Sequence, residues 1–229
     1  MEIIFEDIGI IDYKEAWDYQ EKLFHEAISL KLNGKNNPND QNSYNHQHLL
    51  FCEHPNVYTL GKNGMQANLL ISEELIQKIG AKFYKINRGG DITYHGPGQI
   101  VGYPIFDIEA MRLGIREYIY MIEASIIDTL GEYGIESGRL AGATGVWIAP
   151  DGENTRKICA IGVKVSRYVT MHGFALNVNT NLDYFRYINP CGFVDKGVTS
   201  MEKELGYKQN FEEIKIVLLK NIKKHFNFN

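Results

Sequence analysis

The spacing of apolar positions changes several times along this chain, and each change marks an element. Residues 3–11 form a mostly apolar run that reads as a strand. Residues 13–31 shift to helical spacing, with Tyr13, Trp17, Phe24 and Ile28 along one face. From residue 32 to residue 47 the chain turns polar, with Asn33, Asn36, Asn37, Asn39, Asn42 and Asn45 around Pro38. Such a composition buries too little apolar surface to order itself, so an exposed, mobile loop is expected. Short apolar runs follow at 48–52, 57–60, 83–86 and 100–106. Between the second and third, Ser72-Glu-Glu-Leu75 reads as a helix start, with a serine cap, acids in the first turn and Gly80 as the stop.

The longest helical pattern covers 115–133 and ends at Gly134. Three strand patterns come next, at 145–149, 157–165 and 170–178, joined by Pro150-Asp-Gly152 and by residues 166–168. Thr199-Ser-Met-Glu202 has the form of a capping box. Asn210 is placed to cap a last helix over 211–225, which His225 closes at the negative end of the dipole. Strands outnumber helices, no repeat is visible, and no linker interrupts 72–205. The pattern predicts an α+β fold, with a mixed or largely antiparallel sheet flanked by helices, in one domain over residues 1–229.

Composition narrows the function. The chain has 229 residues, 44% hydrophobic and 23% charged, with a net charge of −4, which argues against a dedicated nucleic-acid binder. Its one basic concentration, Lys215, Lys220, Lys223 and Lys224, falls on the last helix; it reads as a solvated face, or as a surface that steers acidic partners. No apolar run approaches the ~20 residues of a membrane span, and the opening residues carry no signal-peptide pattern, so no membrane partner and a cytoplasmic protein are expected. Cys52, Cys159 and Cys191 are too scattered for a disulfide framework, and His46-Gln-His48 is a weak metal signal, so neither metal nor cofactor is expected.

The least ordinary stretch is Arg88-Gly-Gly-Asp-Ile-Thr-Tyr-His95-Gly-Pro-Gly-Gln99. Its glycines let backbone approach a ligand, and its arginine and histidine supply directed hydrogen bonds. The spacing is neither that of a phosphate-binding P-loop nor that of a dinucleotide fingerprint.

Two thiols compete as nucleophile. Cys191 lies between Pro190 and Gly192, where a substrate and an oxyanion-binding N–H could approach. Cys159 lies in the apolar run Ile158-Cys-Ala-Ile-Gly-Val163. Strand alternation sets Lys157, Cys159 and Ile161 on one face and Arg156, Ile158 and Ala160 on the other. Lys157 could lower the pKa of either thiol, and spacing does not choose between them. His95 and His172 are the candidate bases; a Cys–His pair would point to papain-like hydrolysis.

Four segments together resemble the lipoyl(octanoyl) transferases. The glycine stretch followed by Tyr103-Pro104 is similar to the family signature. Glu53-His-Pro-Asn-Val-Tyr-Thr-Leu-Gly61, Lys157-Ile-Cys-Ala-Ile-Gly-Val163, and His172-Gly-Phe-Ala-Leu-Asn177 with Asn189-Pro-Cys-Gly192 agree in order and spacing, over residues 49–205. The resemblance implies a fold like the biotin and lipoate protein ligase catalytic domains. It implies that Cys191 carries the acyl group as a thioester and that Lys157 lowers its pKa. It further implies that Arg88, Gly89, Gly90, Asp91, Ile92, Thr93, Tyr94 and His95 line the acyl and acceptor-lysine site. Ala160, Ile161 and Gly162 join them, as do Gly173, Phe174 and Ala175. Two features depart from the family: a thiol at Cys159 where a small non-thiol residue is expected, so that a second thiol is expected near the site, and a longer asparagine-rich stretch.

The activity implied is transfer of octanoyl, or lipoyl, from acyl carrier protein to a lysine of a lipoyl domain. The acceptors are 2-oxo acid dehydrogenases and the glycine-cleavage carrier protein, in the first step of protein lipoylation. An ATP-dependent lipoate or biotin protein ligase would use the same fold without a cysteine. A non-catalytic module that binds acylated carriers is the alternative outside enzymology.

Overall fold

The computed structural model describes residues 2–36, 46–189 and 196–228. Its centre is a mixed sheet in the order β1 (Glu2–Ile10), β2 (His46–Glu53), β6 (Gln99–Ile105), β10 (Val169–Asn177), β9 (Arg156–Ser166), β8 (Ala143–Ile148) and β7 (Gly138–Leu140). The two-residue β11 (Gly197–Val198) pairs in parallel with β9. β1 and β2 are parallel, and the connection between them carries α1 (Tyr13–Asn36), as a parallel pair requires a crossover. The pairs from β2 to β7 are antiparallel. A small second sheet, β4 (Lys82–Lys85), β3 (Val57–Leu60) and β5 (Ile92–His95), lies on the α1 side.

Helices cover both faces of the large sheet. On one, α3 (Ile115–Glu132) and α5 (Phe211–His225) bury Ile122, Ile126, Leu130, Ile214, Leu218 and Ile222 against Phe51, Ile100, Phe174 and Leu176. On the other, α1 turns Ala16, Leu23, Phe24 and Ala27 toward Leu50, Ile105, Val169 and Met171, with Trp17 and Ile28 packed at the edge. The expected mixed sheet with flanking helices is borne out.

Several local expectations hold. Ser72 caps α2 (Glu73–Lys78), its Oγ accepting from the Leu75 N–H at 3.3 Å, and Asn210 caps α5 through the Glu213 N–H. The cap before α4 (Met201–Leu205) is Ser200, one residue later than the capping-box reading. Thr199 is taken up by the sheet: its N–H donates to the Lys157 carbonyl at 2.9 Å and its carbonyl accepts from Asn177 Nδ2 at 2.9 Å.

α1 runs to Asn36, past its expected end, where Lys31 fastens it through ion pairs to Asp107 at 2.6 Å and Glu109 at 2.9 Å. The rest of the asparagine-rich stretch, residues 37–45, lies outside the described residues. The glycine-rich stretch contains a strand the pattern did not give. In β5 only Ile92 and Tyr94 enter the apolar core of the small sheet, and glycines bracket the segment.

Candidate active site

The cleft lies between the large sheet, on its α1 side, and the small sheet above it. It encloses about 960 Å³ of empty space, counting its open side. Its floor is built in rows across β6, β10 and β9. Asn177 pairs with Gln99, Ala175 with Val101 and Ala160, and Gly173 with Gly162. Alternation sends the large neighbours Phe174 and Leu176 to the opposite core, with Phe174, an expected site residue, also bordering the cleft. Between the Gln99 and Tyr103 positions what remains on the cleft side is small, Val101, Ala175, Ala160, Gly173 and Gly162, so a groove forms without any strand separating.

The roof comes from the glycine-rich stretch. Thr93 and His95 of β5 line the cleft with Ile92, Gly90, Asp91 and Arg88. The Gly89 N–H donates to the Val163 carbonyl at 2.9 Å, tying the roof to β9. That approach explains Gly162: a Cβ there would stand 2.9 Å from the Gly89 carbonyl oxygen and 3.0 Å from Arg88 Cδ. Arg88 is buried; its guanidinium donates to the Thr59 carbonyl at 2.8 Å, to Thr59 Oγ1 at 3.0 Å and to the Gly89 carbonyl at 3.0 Å. Asp91 is fixed by Asn68 Nδ2 at 2.5 Å and by the Ile92 N–H at 2.7 Å.

Three histidines gather at the inner part of the cleft, and all are neutral. Burial, with His54, Arg88 and His172 nearby, lowers the pKa of His95 to about 3, against a weaker upward pull from Gln99. Burial and the Arg88 charge lower His172 to about 3, and burial lowers His54 to about 4. Neutral His95 sits in a directed chain: its Nδ1–H donates to Gln99 Oε1 at 2.8 Å. Gln99 Nε2 in turn donates to Asn177 Oδ1 at 2.8 Å, and Asn177 Nδ2 to the Thr199 carbonyl at 2.9 Å. His172 takes φ of +61° and its Nε2 meets Asn87 Oδ1 at 3.0 Å, while its Nδ1 is buried without a partner. Neither ring is poised to gain a proton near neutral pH.

The opposite end of the cleft belongs to Lys157, and here strand alternation fails. Val146 pairs with Cys159 while Trp147 pairs with Lys157, so Ile158 is an extra residue in β9. This β-bulge sends Ile158 and Cys159 together into the α3/α5 core and leaves Lys157 on the cleft side with Trp147 and Ala160. The face shared by Lys157 and Cys159 is therefore corrected: the two point apart. Ile161, in phase with Cys159, packs against the core and also reaches the cleft. Gly145 makes the bulge possible, because at φ +125° it lies against the Cys159 carbonyl, where a Cβ would come within 2.6 Å.

The Lys157 ammonium lies 4.6 Å from the centre of the Trp147 ring. Cys159 is fully buried, and burial pushes its thiol well above the ordinary range, outweighing the lowering from Lys157. It is a core thiol.

Cys191 lies outside the described residues. The chain on either side of residues 190–195 is anchored. The Asn189 N–H donates to the Asn68 carbonyl at 2.8 Å, and Lys196, Gly197 and Val198 line the cleft, with Val198 paired to Lys157. Of the other expected site residues, the side chain of Tyr94 points away from the cleft, stacking on Tyr184 at 4.9 Å, and Gly89 contributes backbone to the roof rather than to the lining. Gln99 and Asn177, which close two of the quoted family motifs, also line the cleft, as do Tyr13 and Trp147, which no motif covered. Among the described residues no group of three or more metal-ligating side chains could hold a metal ion, and no helix is long and apolar enough to cross a membrane.

Residues 12–223 match the lipoyl protein ligase A/B catalytic domain. The chain belongs to that family. Octanoyltransferases of Cytophaga hutchinsonii and Bacteroides fragilis are 53% and 51% identical to it, over 96% and 94% of this chain and 91% and 94% of theirs. The likeness to the lipoyl(octanoyl) transferases read from four sequence motifs is borne out. A putative lipoate protein ligase from T. acidophilum superposes with a TM-score of 0.70 at 14% identity, covering 100% of this chain and 87% of that one. A lipoate-protein ligase A bound with ATP gives 0.66 at 14%, over 100% and 86%. These structures share the family fold.

Proposed function

We propose that this enzyme transfers an octanoyl group, in protein lipoylation, from acyl carrier protein to a lysine of a lipoyl domain, by way of a thioester on Cys191. The observation that carries the reading is the cleft itself. It has an apolar floor of small residues, a lysine at one end, and the residues just after the Cys191 segment along that same end. The octanoyltransferases at 51–53% identity support it. One catalytic domain is implied, because the lining draws on positions from Tyr13 to Val198.

In the first step the Cys191 thiolate adds to the carbonyl of the donor thioester, the carrier thiolate leaves, and it takes up the proton that Cys191 gave. In the second, the acceptor amine adds to the enzyme thioester, Cys191 departs as thiolate, and one proton leaves the nitrogen as the amide forms. No ATP is consumed, since a thioester lies uphill of an amide. A thiol of ordinary pKa is only a few per cent ionised at pH 7, and a nearby ammonium raises that fraction. Lys157 lines the cleft and pairs with Val198, shortly after the Cys191 segment, and the Trp147 ring face favours its charged form.

The test is incubation with octanoyl acyl carrier protein, without nucleotide, followed by intact-mass analysis and peptide mapping. The expected result is a gain of one octanoyl group on Cys191, removed by hydroxylamine and passed to an added lipoyl domain. Full carrier acylation by Cys191→Ser, or an ATP requirement, overturns the mechanism.

A further inference from the structure

The cleft-side face of the large sheet is divided along its strands between the cleft and α1. The row of Gln99 and Asn177 stands at the lysine end, since Thr199 bridges Asn177 to the Lys157 backbone. The row of Val101, Ala175 and Ala160 follows, then that of Tyr103, Gly173 and Gly162, all lining the cleft. One row further the floor is closed. Ile105 and Met171 pack beneath α1 with Ala16 and Phe24, and the Lys164 ammonium lies 4.9 Å from the centre of the Phe24 ring.

Tyr13, the first residue of α1, stands at the histidine end of the cleft, opposite Lys157. It is 3% exposed and lines the cleft. Its ring stacks on Tyr84 at 5.5 Å and on His95 at 6.0 Å, and meets His54 edge-on at 5.2 Å. Partners on three sides leave it little freedom to swing away.

We propose that Tyr13, at the head of α1, is the end wall of the acyl site and sets the longest acyl chain the enzyme transfers. The proposal rests on the acyl-transfer reading above. From β9, which carries Lys157, across β10 and β6 to the end of β2, where His54 meets Tyr13, is three strand spacings, about 14 Å at about 4.8 Å each. With C–C bonds of about 1.5 Å, an extended octanoyl chain spans about 9 Å and a dodecanoyl chain about 14 Å. Eight carbons fit with the thioester at the lysine end; twelve meet the tyrosine. Up to the wall each methylene strengthens binding about fourfold, and beyond it strain replaces that gain.

Two measurements on the full chain test this. In the first, octanoic, decanoic and dodecanoic acids are titrated into the wild-type protein by calorimetry, which requires no turnover. Affinity is expected to rise from eight to ten carbons and to fall at twelve; a steady rise through twelve overturns the wall. In the second, transfer from octanoyl and dodecanoyl carrier protein is compared in the wild type, Tyr13→Leu and Tyr13→Ala, with thermal unfolding to confirm that each is folded. The dodecanoyl-to-octanoyl ratio of kcat/KM is expected to rise about tenfold or more in the shortened variants and to stay at the wild-type value in Tyr13→Phe. An unchanged ratio in a folded Tyr13→Leu or Tyr13→Ala protein overturns the proposal. If the wild type binds fatty acids with the expected break but transfers no octanoyl group, the functional reading falls and the wall stands.

Discussion

The two faces of the large sheet use the same strands for opposite ends. Toward α3 and α5 those strands present Phe51, Ile100, Phe174 and Leu176 in a closed core; toward α1 they present Val101, Ala175, Ala160 and Gly162 beneath an open cleft. Adjacent residues in one strand thus serve stability and binding separately. Side-chain volume at alternate positions, rather than any change in backbone path, makes the site. The closed face should answer to mutation in unfolding free energy, and the open face in turnover.

The largest effect expected at the open face is at Lys157. Lys157→Met should lower the rate of Cys191 acylation by about 10²–10³-fold, within the range for a group assisting proton transfer or thiolate formation. Single-turnover kinetics across pH should show the remaining rate climbing toward the ordinary thiol pKa.

The sharpest contrast is between neighbours in β10. Leu176→Ala should cost about 2–5 kcal/mol of stability in denaturant titration, with transfer by the folded fraction nearly intact. Ala175→Leu should fill the floor and abolish octanoyl binding while changing stability by less. A reversal of either result breaks the separation of the two faces.

The pH dependence of stability also belongs to the open side. His54, His95 and His172 have folded pKa values of about 4, 3 and 3, below the ordinary 6.5. The unfolded chain binds protons below pH 6.5 that the folded chain refuses. Their contribution is therefore complete above pH 6.5 and is lost as pH falls toward 3–4. Each is worth on the order of 1 kcal/mol per pH unit in that window. Thermal unfolding between pH 7.5 and 5 should show the loss, and His172→Asn should flatten it.

The smallest effect is at Cys159. Cys159→Ala should cost about 1–2 kcal/mol and leave the octanoyl adduct on Cys191 unchanged, because that thiol faces the closed core. An adduct lost with Cys159 would reassign the nucleophile.

Much of this was legible in the sequence because one residue type decides each feature locally. Ser72 and Asn210 cap helices wherever a free N–H follows them, and the helical spacing of Tyr13, Trp17 and Phe24 reports burial directly. The four family motifs carried the roof, the floor and Lys157. Other features arise only from pairing between distant segments. β5 is a strand because β3 is beside it, and Thr199 fails to cap because Asn177 and Lys157 claim its backbone. Tyr13 reaches the cleft only because α1 crosses the sheet where the floor ends. The basic helix was read as a solvated face or as a surface for acidic carriers; α5 packs on the face away from the cleft, with Lys220 and Lys224 exposed. There Lys215, Lys220 and Lys224 pair with Asp7, Glu132 and Asp128 of the same chain.

The extra residue Ile158 acts as a phase offset in β9. On either side of it the strand alternates between cleft and core, and the extra residue adds Ile158 beside Cys159 without moving Lys157 from the cleft. Loss of that one residue would restore unbroken alternation with Lys157 still toward the cleft and Cys159 still toward the core, and would take a single apolar side chain out of the α3/α5 core. A residue lost elsewhere in β9 has no such slack and would turn one part of the strand over relative to the other.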